Sequence, residues 1–197
     1  MAIGDSFTGG APGQLDETRF PDELARELAV ADYHNLGVAG ATTPQVAGTQ
    51  LEPCIELRPD LVTVICGAND VLLSVRPDID VHAAALDEML QRLLAEVPDA
   101  IVVTGTTPDL ANFLPLRPRS RQRVTEGMQR LNDATRMVAD RYGVLCLEFA
   151  EHPDAAERGH FADDGYHPSP EGSRQAARGA ALELEKHYGI RRAEEGT

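Results

Sequence analysis

Positive charge is scarce in this chain of 197 residues: it has one lysine, Lys186, and 18 basic residues in all against 32 acidic ones. The formal net charge is −14 and the pI is near 4.7. Such a surface repels phosphate backbones and anionic lipid headgroups, which argues against nucleic acid as a partner and against a polybasic membrane contact. The lone lysine, in the last helical stretch, also argues against a receiver-like binding module, whose acidic pocket needs a lysine partner. One segment runs against the trend. "RPRSRQR" places Arg117, Arg119, Arg121 and Arg123 within seven residues, read first as a solvated helix approach and second as an anion-binding patch.

Long apolar runs are missing too. None approaches the roughly 18 residues that a membrane helix needs, so no membrane anchor is expected. No basic stretch followed by an apolar one opens the chain, and the expected location is cytoplasmic, with a trimmed secreted form as the alternative. Cysteine is sparse: Cys54, Cys66 and Cys146 form an odd count without a C-x-x-C spacing. Cys66 and Cys146 lie in apolar runs, where a free thiol packs as a small core residue, so neither a disulfide framework nor a structural zinc site is expected. The sequence names no protein partner and leaves the oligomeric state open.

What is present is the composition of a soluble globular protein, 42% hydrophobic and 25% charged. Its length suits one domain, read as residues 1–188, with 189–197 as a flexible C-terminal tail. Two periods alternate along it. "DLVTVIC" (60–66), "AIVVTG" (centred on 101–105) and "VLCLEF" (144–149) are short, nearly continuous apolar runs rich in β-branched residues, the pattern of strands buried on both faces of a parallel sheet. "MAI" at the start and "YHNLGV" (33–38) are weaker strand candidates.

Helical stripes fall between them. Leu86, Met89, Leu90, Leu93, Leu94 and Val97 recur three and four apart, and so do Val124, Met128, Leu131, Val138 and Tyr142. A short first helix is expected from Pro21 to Val30. A last one carries Ala177, Ala180, Ala181, Leu184 and Tyr188, with Ser169 as its cap and Pro170 at its first position. Strands alternating with helices mean βαβ units and an α/β domain with helices on both faces of the sheet.

In an open parallel sheet, functional groups collect beyond the carboxyl ends of the strands. Gly4-Asp5-Ser6 follows the first strand, and "GVAGATT", with Gly37 and Gly40, follows the second. Gly67-Ala68-Asn69-Asp70 follows the third, and "ADDGYHPSPEG", with Asp164 and His167, comes after the last. Each alone reads as turn chemistry. Together they hold what acyl transfer needs. A serine needs an imidazole to take its proton, and the imidazole needs a carboxylate to hold its tautomer. Asp164 and His167 are three apart, so one turn can join them. The tetrahedral intermediate needs donors, which Ser6 N–H, Gly40 N–H and the Asn69 amide can supply.

The blocks "GDSFT", "GVAGATT", "GAND" and "DGYHP", in this order, resemble the SGNH hydrolases, the GDSL esterase and lipase family, over nearly the whole chain. The resemblance implies a three-layer α/β/α sandwich with a five-stranded parallel sheet of flavodoxin-like order. It implies Ser6 as nucleophile, His167 as base and Asp164 as the third triad member, with Ser6, Gly40 and Asn69 forming the oxyanion hole. Asp5 and Asp70 are then supporting residues. Neither a metal nor an organic cofactor is implied, and the substrate is a small-molecule acyl ester. Only three residues precede Gly4, which makes the first strand short for a central one, with stability the property at stake. Gly10 after Gly9 suggests a more mobile loop behind Ser6.

Three alternatives stand beside this reading. An acyltransferase would use the same triad. A metal-dependent phosphoesterase would use Asp5, Asp70, Asp164 and His167 as ligands. The third is a non-enzymatic α/β module. His34, His82, His152, His160 and His187 are expected on the surface, Asp163 facing solvent, and Cys66 packed in the core. Segments 9–20, 70–80 and 106–120 are expected to set the substrate. In the last, Leu110, Phe113, Leu114 and Leu116 either wall an apolar pocket or tuck onto the core.

Overall fold

The two sequence periods become strands separated by one or more helices along the chain. A computed structural model describes residues 1–11, 18–152 and 157–193. Four strands, β1 (Ala2–Gly4), β2 (Leu61–Ile65), β3 (Ile101–Gly105) and β4 (Leu145–Leu147), form a parallel sheet in the order β1-β2-β3-β4. The helices are α1 (Ser6–Gly9), α2 (Phe20–Glu27), α3 (Thr43–Glu56), α4 (Ala68–Leu72), α5 (Ile79–Glu96), α6 (Pro118–Tyr142) and α7 (Pro170–Tyr188).

Strand side chains alternate between two apolar layers, as the period of two requires. Ile3, Val62, Val64 and Val102 face α3, α5 and α6, where Leu51, Met89, Leu90, Leu93 and Val138 are buried against them. Ile65, Val103 and Leu147 face the other way, onto Phe20 and Leu24 of α2 and Ala177, Ala181 and Leu184 of α7. Each fully buried Leu or Val contributes about 1.5–3 kcal/mol, so both layers hold the sheet in place. A third cluster, with Leu110, Val124, Met128, Leu131 and Phe161, closes the end of the sheet where the strands terminate.

Among the described residues the expected five strands reduce to four. Residues 33–38 run beside β1 and exchange backbone bonds with it, Ala2 N–H to His34 O at 2.9 Å and Leu36 N–H to Ala2 O at 2.9 Å, but they make only one parallel bridge, Ala2 to Asn35. A third backbone bond, Val38 N–H to Gly4 O at 3.1 Å, follows β1 to its end without building a strand of its own. The residues of β1 are buried and β2 holds it from the other side, with the Met1 amine donating to Leu61 O at 2.9 Å.

Helix α3 has no counterpart in the sequence reading. Gly48 and Pro53 interrupt its apolar spacing, yet a reciprocal cap between Thr42 and Gln45 and burial of Val46, Leu51, Cys54 and Ile55 hold it together. The start of α7 follows expectation: Ser169 Oγ accepts Gly172 N–H at 3.1 Å and Pro170 opens the helix. After α7, Ile190 packs on the α2–α7 layer and Ala193 N–H donates to Glu27 O at 2.6 Å. Of the segments named above, residues 12–17 of the 9–20 loop and 194–197 of the tail lie outside the described residues.

The arginine cluster divides: Arg117 and Arg119 are exposed, as a solvated helix approach requires, whereas Arg121 and Arg123 are half-buried on backbone carbonyls. Arg121 donates to Ala111 O at 2.6 Å, and Arg123 donates to Val71 O at 3.3 Å and to Ser74 O. Two guanidinium groups thus tie the start of α6 to the segments around 111 and 71–74. In that first segment Leu110 is buried, and Phe113, Leu114 and Leu116 pack on the third cluster, so these apolar residues tuck onto the core. No helix among the described residues is long and apolar enough to cross a membrane.

Candidate active site

Gly4 ends β1 where any side chain would collide: a Cβ there would overlap the Ile65 carbonyl oxygen and Thr8 Oγ1. That close approach lets the chain turn directly from strand into α1. Asp5 caps the turn, its Oδ1 accepting Phe7 N–H at 3.0 Å while its own N–H donates to Ile65 O at 3.2 Å. The Asp5 side chain is buried, which pushes its carboxyl up to about 7 against the hydrogen bonds from Phe7 and Gly67. Ser6 is therefore the first residue of α1, where its N–H has no intrahelical acceptor. Its side chain is buried as well, and Oγ makes no hydrogen bond of normal geometry.

The other blocks meet at the same end of the sheet. Gly40 lies in an exposed turn with a φ of 80°, a conformation only glycine adopts freely, and nothing within 4 Å crowds its Cβ side. Asn69 sits buried in α4, and its Nδ2 donates to Ala41 O at 3.0 Å, beside Gly40. His167 Nδ1 and Asp164 Oδ2 are 2.6 Å apart. Asp164 Oδ1 also accepts the N–H groups of Tyr166 at 2.8 Å and His167 at 3.0 Å, so the loop that carries the imidazole is folded around this carboxylate. Burial pushes that carboxyl upward, but the bonds from His167 and Tyr166 outweigh it and hold it below the usual carboxylate range. Asp163 is exposed, and only its backbone oxygen is used, by Arg158 at 3.0 Å.

Tyr166 is the residue that sequence reasoning missed. Its hydroxyl donates to Asn69 Oδ1 at 2.7 Å, and its ring stands edge-on to His167 with centroids 4.4 Å apart. With Oδ1 accepting from Tyr166 and one Nδ2 hydrogen directed at Ala41 O, the Asn69 amide has a single orientation and one hydrogen left over. Burial, and after it the charge of Asp5, keep the Tyr166 phenol protonated, with Ser6 as its other polar neighbour. The available signal was an aromatic directly before the candidate base in "DGYHP". Ser6 and His167, by contrast, are not joined by a hydrogen bond.

His82 is a correction. Instead of lying on the surface it is fully buried, with Nδ1 2.8 Å from Thr43 Oγ1 and Nε2 3.0 Å from Thr135 Oγ1. Position 82 faces inward from α5 because the two threonines satisfy both ring nitrogens, and burial pushes its pKa down to about 4. Asp70 joins the same chain, its Oδ2 accepting Thr43 N–H at 2.9 Å. His34, His152 and His187 are exposed and His160 is half-buried. Asp5, Asp70 and Asp164 thus each serve different partners, and among the described residues no three His, Cys, Asp or Glu side chains gather where a metal ion could sit. Cys66 is buried and its thiol is pushed far up, first by burial and then by Asp5, so it stays protonated at neutral pH.

A model of the GDSL-like lipase/acylhydrolase family matches residues 2–175. Among solved structures, a member of the lipolytic protein G-D-S-L family from Veillonella parvula DSM 2008 superposes with a TM-score of 0.73 at 18% identity, over 94% of this chain and 97% of that one. A lipase/acylhydrolase from Enterococcus faecalis gives 0.68 at 19% identity, over 100% and 97%. The acetyl xylan esterase AlAXEase gives 0.71 at 16% identity, over 93% and 98%. Comparison with curated proteins gives no match.

Proposed function

The chain belongs to the GDSL-like lipase/acylhydrolase family and is an ester-hydrolysing enzyme, and from that premise we propose that it cleaves a small-molecule carboxylic ester or thioester through an acyl-enzyme on Ser6. One observation carries the proposal. The Asp164–His167 pair and the Asn69 amide, linked through Tyr166, stand at the same end of the sheet as a buried serine hydroxyl that has the Tyr166 phenol as a polar neighbour.

In this reading Ser6 Oγ attacks the acyl carbonyl carbon as His167 Nε2 takes its proton. Asp164 keeps the other ring nitrogen protonated and stabilises the imidazolium. The new oxyanion accepts from Ser6 N–H, Gly40 N–H and the remaining Asn69 Nδ2 hydrogen. Collapse of the intermediate returns the proton from His167 to the leaving alcohol or thiol. Water, deprotonated by the same imidazole, then releases the acid and restores Ser6. His167 must come within hydrogen-bond reach of Oγ in the substrate complex, where such contacts tighten.

A fluorophosphonate probe tests the assignment, because it phosphonylates only an activated serine. Peptide mapping by mass spectrometry should place the adduct on Ser6. An unlabelled Ser6 in folded protein, or an adduct on another residue, overturns the reading.

The role of Asn69 leads to a second expected result. Tyr166→Phe keeps the ring against His167 but removes the donor to Asn69 Oδ1, so the amide can rotate away from the oxyanion. One lost orienting bond of roughly 1–1.5 kcal/mol corresponds to a fall in kcat of about tenfold, with KM little changed. Initial rates on a p-nitrophenyl ester check it. A raised KM at constant kcat would instead place Tyr166 in substrate binding.

A further inference from the structure

Between the carboxyl half of the sheet and α7 lies a cavity of about 520 Å³. Four of the chain's five phenylalanines, Phe7, Phe20, Phe149 and Phe161, wall it. Helix α7 makes the room, because it lines the space with Ala176, Gly179 and Ala180, and a Cβ at Gly179 would meet no heavy atom within 4 Å. Protein interiors are normally close-packed, and larger side chains on this face of α7 would fill the void and gain dispersion contacts. An opening of this size falls in the range of about 300–1,000 Å³ that small-molecule sites occupy.

The cavity adjoins the proposed reaction centre. Asp5 and Phe7, on either side of Ser6, line it, and so does Pro168, which follows His167, while Ser6 and His167 themselves lie just outside the lining. We propose that this cavity receives the hydrocarbon chain of the acyl group, of medium length and uncharged, while the ester carbonyl stays at Ser6. The proposal rests on Ser6 being the nucleophile and adds the class of acyl group that the site selects.

The charges at the cavity agree with that occupant. Glu148, Glu151 and Glu183 line it, the first two held by Arg136 at 2.8 Å each and the third by Lys186 at 3.1 Å. Arg136 and Lys186 are thus already paired with carboxylates, and the three glutamates outnumber them on a protein of net charge −14. A neutral ester enters without penalty. The carboxylate released by hydrolysis meets repulsion, which favours its departure.

The test uses the full chain and a series of p-nitrophenyl esters from acetate to dodecanoate. Each buried methylene is worth about fourfold, so kcat/KM should climb by about that factor per methylene from acetate towards octanoate and then level off. Gly179→Leu, and separately Ala176→Leu, should lower the octanoate-to-acetate ratio of kcat/KM at least tenfold, in protein shown to be folded by circular dichroism. A parallel titration with 2-decanone, an alkyl ketone that no esterase cleaves, reads the cavity without turnover. Calorimetric binding to the wild type that is lost in either variant supports the cavity even if no ester is hydrolysed, which would count against the esterase reading alone. Turnover with a flat chain-length profile, or a profile and ketone binding unchanged in both variants, overturns the cavity proposal and leaves the esterase reading standing.

Discussion

Ser6→Ala is expected to abolish turnover of a short p-nitrophenyl ester, with kcat down by about 10⁴- to 10⁶-fold, and to make the protein more stable. The loss of rate follows from removing the atom proposed to form the acyl-enzyme, since what would remain is catalysis by binding and oxyanion donors alone. The gain in stability follows from an observation independent of chemistry: Ser6 Oγ is buried and makes no hydrogen bond of normal geometry to the protein, with the Tyr166 hydroxyl as its polar neighbour. An unsatisfied buried hydroxyl costs about 1–3 kcal/mol, and alanine removes it while keeping the Cβ and improving the first turn of α1. For a chain of this size each kcal/mol is worth roughly 2–4 °C in melting temperature. Initial rates and differential scanning calorimetry on the same samples check both halves. A variant that keeps a tenth of the wild-type rate would point to another nucleophile. One that loses rate and also melts earlier would mean that Oγ holds the fold together. The opposed signs are what a functional group maintained at the expense of packing produces.

The parts of this molecule that were legible in its sequence are those governed by short-range rules. Buried parallel strands announce themselves as β-branched runs, and 61–65 and 101–105 fall where such runs lie. The Ser169–Pro170 start of α7 is local chemistry, and the three-residue spacing from Asp164 to His167 is enough to bring carboxylate and ring together. What escaped depends on partners distant in sequence. Helix α3 survives Gly48 and Pro53 because α5 and β1 bury its apolar side. His82 lies inside because Thr43 and Thr135, 39 and 53 residues away, converge on its ring. Arg121 and Arg123 looked like surface charge until backbone carbonyls came within their reach. Tyr166 is the instructive miss, since its bond to Asn69 spans 97 residues and links two blocks that the sequence presented as separate. The four short blocks carry the residue types of a reaction, and the contacts among them exist only in the fold.

Asp164→Asn is expected to be nearly as damaging as loss of the serine, with kcat down by about 10³- to 10⁴-fold. The side chain keeps its shape, and an Asn oxygen can still accept the Tyr166 and His167 N–H groups that now bind Oδ1. The remaining atom then becomes an NH₂ group facing His167 Nδ1, in place of the Oδ2 that stands 2.6 Å from it. A donor at that position requires Nδ1 to be the acceptor, so the ring proton moves to Nε2, the atom that takes the proton of Ser6 in the proposed mechanism. The defect is a reversed tautomer more than a weakened bond. Because the folded-state pKa of Asp164 lies below the ordinary carboxylate value, the stability its ionised form adds is present above that value and is lost as the pH falls through the lower one. The wild-type carboxylate thus stays ionised across the neutral range, and raising the pH should not rescue the variant. Asp163→Asn is the matched control: its neighbouring carboxylate faces solvent, and the rate should stay within about twofold of wild type. Rates of both variants between pH 5 and 9 decide the matter. Equal losses at the two positions would transfer the role of Asp164 to the local negative charge, and a mild loss at Asp164 alone would leave His167 oriented by the Tyr166 ring that stands edge-on to it.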